Sequence, residues 1–358
     1  MNTSFLHRPL ALAAAIGTLA ACSTDLDINA PYRDITVVYA LFDKGENDAV
    51  HYVKINKAFL GEGDAFLYAQ IPDSTTFTDE QLGIHPDDPA AQRSYVEELG
   101  ADGQVTDTFH LRSVVLDERD PGVFAGPEHK MYYFTAQLDS TRRYRVHVEA
   151  KGHVVESVSP VTGVAIPSSV LLSSTSLGLA TPTGYSTPEI KWRSAVNGKR
   201  HEFGYRFNYR EVRNTGDTVA RSIERRVGTA ISISQNGGED LSVFLNGEDF
   251  YRSIASAIPN DPAVVRRLFD AADPDVADGV DLMWAVAGPD LHIYMQLANP
   301  ISGLVEDRPE YSNVTGEDAY GLVSSRRFRE RKKKTITDNS RAELLNGQYT
   351  SGLNFFIP

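Results

Sequence analysis

Carboxylates are the side chains whose spacing could do chemistry. Asp273, Asp275, Asp278 and Asp281 crowd into nine residues together with Gly279. Loops of that composition hold Ca²⁺, which takes roughly six to eight oxygen ligands. The pattern departs from an EF-hand, because its third acid and its glycine come one residue late and no glutamate closes the loop. The cluster is a calcium candidate, set against the plainer reading of a polar loop leading into a strand. Asp87/Asp88 and Glu97/Glu98 are paired acids, which act as acid and base only when a cleft holds them together. The nine histidines are scattered, and His201-Glu202 stands outside any H-E-x-x-H helix. Neither a P-loop nor a G-x-S-x-G elbow occurs. Phe203, Tyr205, Phe207 and Tyr209 alternate along one segment, a ligand platform if exposed and core if buried. No catalytic residue is assigned.

Cys22 is the only cysteine, so the chain can form neither an internal disulfide nor a multi-Cys metal cluster. The 12 apolar residues 10–21 precede it. A membrane span needs ~20, whereas the h-region of a signal peptide is this short. Leu19-Ala20-Ala21-Cys22 resembles a bacterial lipobox. That resemblance makes residues 1–21 a signal peptide and Cys22 a lipidated N-terminus. One acyl chain anchors only marginally; the resemblance implies an anchor with more than one, which holds. Residues 22–33 then form a tether that spans at most ~40 Å. Asp25 and Asp27 within it resemble the surface-export signal of Bacteroidota lipoproteins, which implies the cell surface rather than the periplasmic face.

The 358 residues carry 48 acids and 35 Lys/Arg, a net charge of −13, with 41% hydrophobic residues. That is globular composition, with length for two cores. A general nucleic-acid binder would need a basic face, which this balance argues against. The charge is uneven. Residues 62–128 hold 15 acids and three Lys/Arg, whereas Arg326–Lys334 holds seven Lys/Arg and one acid, and 191–226 holds ten and four. The acidic stretch reads as a long surface insertion with few strands, and as the place to seek a partner. The basic run reads as a solvated strand end and hairpin loop, or as a contact for anionic lipid.

The elements around these residues are mostly strands. Ile35–Phe42 and Val50–Phe59 flank a polar loop and read as a hairpin. Phe109–Leu116, Met131–Leu138, Arg142–Glu149 and Val154–Val161 follow, then Phe203–Tyr209, Thr229–Ser234, Leu241–Leu245, Val280–Val286 and Leu291–Leu297. Helices are expected near Glu248–Ala257 and from the cap-like Asp261-Pro262 to Ala271. The pattern predicts a mainly β chain of two immunoglobulin-like β-sandwich domains. The first covers 34–165 and includes the acidic insertion. The second covers 166–358 and includes a helical insertion at 247–272.

More specific residues stand near the C-terminus. Asp290-Leu-His-Ile-Tyr-Met-Gln-Leu-Ala-Asn299, Tyr311-Ser-Asn-Val-Thr-Gly316 and Ala319-Tyr-Gly-Leu-Val-Ser-Ser325 occur in succession. With the lipobox and the strand Ile35–Phe42, they resemble a family of uncharacterised Bacteroidota outer-membrane lipoproteins. The resemblance covers both ends and is thin between them; the turn after Asn313 is longer than the family's, and 62–128 is expanded. It implies β-sandwich domains, outer-membrane location and association with TonB-dependent β-barrel transporters, and it carries over no catalytic residue. The function expected is a non-enzymatic binding or accessory subunit of an envelope transport or secretion assembly. The alternatives are a structural or adhesive envelope protein and a hydrolase using carboxylates of the acidic segment.

Overall fold

A computed structural model describes residues 33–44, 49–60, 65–117, 120, 122–124, 128–298 and 310–358. The chain is mainly β, and its described residues form several sheets, none of them a closed barrel. Its strands run β1 (Arg33–Lys44), β2 (Val50–Leu60), β3 (Tyr95–Leu99), β4 (Val105–His110), β5 (Arg112–Leu116), β6 (His129–Thr135), β7 (Arg143–Ala150) and β8 (His153–Pro160) in the first half. The second half continues with β9 (Ile166–Pro167), β10 (Ala180–Thr181), β11 (Gly184–Tyr185), β12 (Glu189–Arg193), β13 (Arg200–Arg213), β14 (Thr218–Ile231) and β15 (Asp240–Phe244). It ends with β16 (Val264–Leu268), β17 (Gly279–Ala287), β18 (Ala319–Lys334) and β19 (Phe355–Phe356). Helices are α1 (Ala65–Ala69), α2 (Pro72–Thr75), α3 (Ser169–Leu172), α4 (Gly247–Ala257), α5 (Pro289–Ala298) and α6 (Asp338–Asn346).

One ten-stranded sheet runs through both halves, in the order β19-β16-β13-β17-β18-β1-β2-β6-β5, with β14 on the other edge of β13. The joint is β18. Its first half pairs in parallel with β1, from Thr36↔Ala319 to Lys44↔Arg327, and its second half pairs antiparallel with β17. Gly321 permits this joint. Its φ is +142°, and a Cβ there would stand 1.9 Å from the carbonyl oxygen of Val38.

Two cores lie on the inner face of this sheet. In the first, Val38, Phe42, Ile55 and Phe134 meet Val96, Tyr144 and Val146 of the four-stranded sheet β4-β3-β7-β8. Val314 and Val323 return from the C-terminal part to join it. In the second, Phe203, Phe207, Leu282 and Trp284 meet Ile190 and Trp192 of the sheet β15-β12-β9 and Phe250 and Ile254 of α4. Asn246 caps α4, its side chain accepting from the Asp249 amide at 3.1 Å. The row Phe203/Tyr205/Phe207/Tyr209 is therefore core, each ring 4% exposed or less.

Four sequence expectations are corrected. Leu291–Leu297 is not a strand but most of α5, which lies against β18. Asp261-Pro262 opens a turn rather than a helix: Asp261 accepts from the Ala263 and Val264 amides, and β16 follows. The acidic stretch 62–128 is no appendage, since it supplies β3 to β5 and the core residues Phe77, Leu82, Ile84 and Val96. The basic run 326–334 is the sheet-forming second half of β18 rather than a hairpin loop.

Candidate functional site

Strand alternation gives the shared sheet an outer face opposite its two cores. On the β1–β2–β6 side that face carries Val37, Tyr39 and Leu41, then Tyr52, Lys54 and Asn56, then Met131 and Tyr133. Tyr52 and Tyr133 are cross-strand partners with rings 6.4 Å apart. Tyr39 sits opposite both Lys54 and Leu322. Burial, first, and then the nearby Tyr320, Tyr294 and Glu310 push its hydroxyl above the usual tyrosine range. The cluster is completed by α5, whose Leu291 amide donates to Ser324 Oγ at 3.1 Å. Tyr311 donates its hydroxyl to Asp290 at 2.5 Å. Burial and that carboxylate hold the Tyr311 hydroxyl protonated far into alkali. A groove of about 520 Å³ runs beside Tyr39, walled by Val37, Lys54, Lys57, Phe66 and Phe124.

The β13–β17–β18 side of the same face is ionic. Arg206 binds Glu224 at 2.5 Å and reaches Glu330 at 3.5 Å and Asp281 at 3.6 Å. Glu202 is held by Arg200 at 2.6 Å and by Arg226 at 3.0 Å. These pairs rim a depression of about 420 Å³ floored by Gly204, Met283 and Ala285. Much of the basic charge of 191–226 is thus already matched. The run 326–334 is also engaged: Arg326 binds Asp43 at 2.7 Å, and the Lys334 ammonium donates to the carbonyls of Ser173 at 2.9 Å and Thr175 at 2.5 Å.

The carboxylates and carbonyls of the aspartate loop, the calcium candidate of the sequence, are engaged by donors of the protein itself. Asp278, 2% exposed, receives Arg210 Nε at 3.1 Å on both oxygens and the Asp270 amide at 3.0 Å. Asp281 accepts from Asn208 and from the Lys333 amide, both at 2.8 Å. Asp273 accepts from the Asp275 amide at 2.9 Å. The Lys333 ammonium donates to the carbonyls of Asp273 and Val276, so a lysine takes loop oxygens that a cation would use. Among the described residues, no group of three or more His, Cys, Asp or Glu side chains is disposed to hold a metal ion.

The paired acids are likewise apart in function. Asp88 caps its own turn, accepting from the Ala90 amide at 3.2 Å. Glu97 and Glu98 are neighbours on β3 and point to opposite faces. Arg145 Nε donates to Glu97 at 2.6 Å, while Tyr144 donates its hydroxyl to Glu98 at 2.8 Å. One constellation escaped the sequence reading. Across β3, β7 and β8, Tyr95 stacks on His147 at 4.7 Å, and His147 Nδ1 lies 2.6 Å from Glu156. His147 and Glu156 face each other across the β7–β8 hairpin, but Tyr95 joins them only through the register of β3 with β7. The outward-facing tyrosines were legible in principle, because the exposed Tyr52 and half-buried Tyr133 fall out of phase with the buried Val53 and Tyr132.

Cys22, the signal residues and residues 22–32 of the tether lie outside the described residues. No helix of the described chain is long and apolar enough to cross a membrane. No protein-family model, curated protein or solved structure matches the chain.

Proposed function

We propose that the protein is a non-enzymatic lipoprotein of the outer membrane, anchored through Cys22 and facing the cell surface rather than the periplasm. It acts as a binding or accessory subunit of an envelope transport or secretion assembly. The observation that carries this reading is the tyrosine face of the shared sheet, where Tyr39 is 37% and Tyr52 46% exposed beside Tyr133. Tyrosine combines a large apolar ring with a hydrogen-bonding tip and is enriched in protein interfaces for that reason. The partner expected from the family resemblance is a TonB-dependent β-barrel transporter.

The test has two readouts. Intact mass of the protein extracted from native membranes should give a chain that begins at an acylated Cys22. Affinity purification from the same membranes should recover a β-barrel protein with the wild-type chain and little of it with the Tyr52→Ser/Tyr133→Ser double variant. Recovery of the acylated chain alone, with both forms, contradicts the accessory role and favours the structural or adhesive reading.

A further inference from the structure

We infer that the apolar tip formed by α1 and residues 122–124 lies in the bilayer interface beside the lipid anchor. The inference rests on the Cys22 anchor of the proposed function and adds a second membrane contact, made by the folded body itself. Phe66 is 68% exposed, Leu67 67%, Ile71 47%, Val123 45% and Phe124 50%. Five large apolar side chains thus stand on 66–71, which is α1 and the turn after it, and on 122–124, and Gln70 ties the two segments together by donating its side-chain amide to the Val123 carbonyl. Phe66, Val123 and Phe124 also form the outer wall of the groove beside Tyr39, with Ala69, 5% exposed, beneath them, while Leu67 and Ile71 lie outside it. Contiguous exposed apolar surface of this kind marks a contact with a partner or a membrane.

Position decides between those two. The tether joins the fold at Arg33, and Arg33 is the cross-strand partner of Leu60. The chain leaves β2 at Leu60 and begins α1 at Ala65, so tip and tether emerge at the same end of the sheet. Residues 22–33 hold that end within ~40 Å of the anchor. Rings and branched aliphatic side chains are the groups that settle at the headgroup boundary. The tip segments 65–73 and 122–124 carry no Lys or Arg and one acid, Asp73, so attraction to anionic headgroups is not the driving force. Insertion is therefore driven by apolar area, and it depends little on salt or on anionic lipid.

The lone cysteine makes the test clean. Acylation consumes Cys22, so a cysteine introduced at the tip is the sole reactive thiol. The full mature Leu67→Cys lipoprotein, labelled with an environment-sensitive fluorophore, is placed in phosphatidylethanolamine/phosphatidylglycerol vesicles. The label should shift to the blue and lose most of its emission to quenchers carried on lipid acyl chains. It should do so equally at low and high salt, and Phe66→Ser/Phe124→Ser in the same chain should weaken the quenching. The same label at Asp338→Cys, on α6 of the other half, should stay water-like. A Leu67→Cys label that stays water-like in a chain whose mass shows acylated Cys22 overturns the proposal and leaves the anchor standing. A label that shifts blue only when a co-purified protein is present overturns it in favour of a protein partner. A mass without acylation removes the anchor, and the proposal falls with it.

Discussion

His201 shows what one buried side chain imposes on the whole fold. It is completely buried, and its Nε2 accepts the Ala195 amide at 3.0 Å, which requires the neutral ring. Burial lowers its pKa from 6.5 to about 4, with Glu239 pulling weakly the other way. Above about pH 6.5 both the folded and unfolded rings are neutral, and the full stability is present. Between about pH 6.5 and pH 4 the unfolded chain takes up a proton that the folded chain refuses. Stability therefore falls on acidification, by up to about 1.4 kcal/mol per pH unit. Melting temperatures measured across that window should decline, and His201→Gln, which keeps an acceptor but does not titrate, should flatten the decline. Equal slopes for the two chains would contradict this role. At the same scale, the acid loop was visible in the sequence but its use was not. Arg210 lies 68 positions from Asp278 and Lys333 57 from Val276, distances over which local spacing carries no information.

Elements were legible wherever period and burial agreed. β7 alternates buried and half-buried residues from Tyr144 to Ala150, and the same alternation is present in its sequence. α5 misled because Leu291, Ile293, Met295 and Leu297 alternate with His292, Tyr294 and Gln296, a period of 2 that a short helix can also show. Phe109–Leu116 misled differently. It reads as one strand but turns a corner at the buried Leu111, giving β4 to one sheet and β5 to the other. The joint between β1 and β18 depends on Gly321, where a side chain would meet the Val38 carbonyl and adopt an unfavourable φ. Gly321→Ala should cost roughly 2–4 kcal/mol from strain and overpacking together. Urea denaturation checks this, and a midpoint unchanged from wild type would show that the joint is looser than the register implies.

For the molecule as a whole, sequence reading anticipated a mainly β chain but not that one sheet would thread both cores. Nothing local marks Ala319–Arg327 as the parallel partner of a strand nearly 300 residues earlier. Because β18 belongs to both halves, neither core can lose it and stay intact. Calorimetry should give one unfolding transition whose calorimetric and van't Hoff enthalpies agree. Two resolved transitions would mean that the halves are independent. The shared sheet also gives the protein one continuous outer face, on which the functional reading depends. Site-specific photo-crosslinking in living cells tests that reading most directly, with the crosslinker at Tyr52 and, as a control, at Asp338. The account predicts a discrete adduct with an outer-membrane β-barrel protein from Tyr52 and none from Asp338. No protein adduct from Tyr52, in cells whose protein is acylated at Cys22 and resides in the outer membrane, would contradict it.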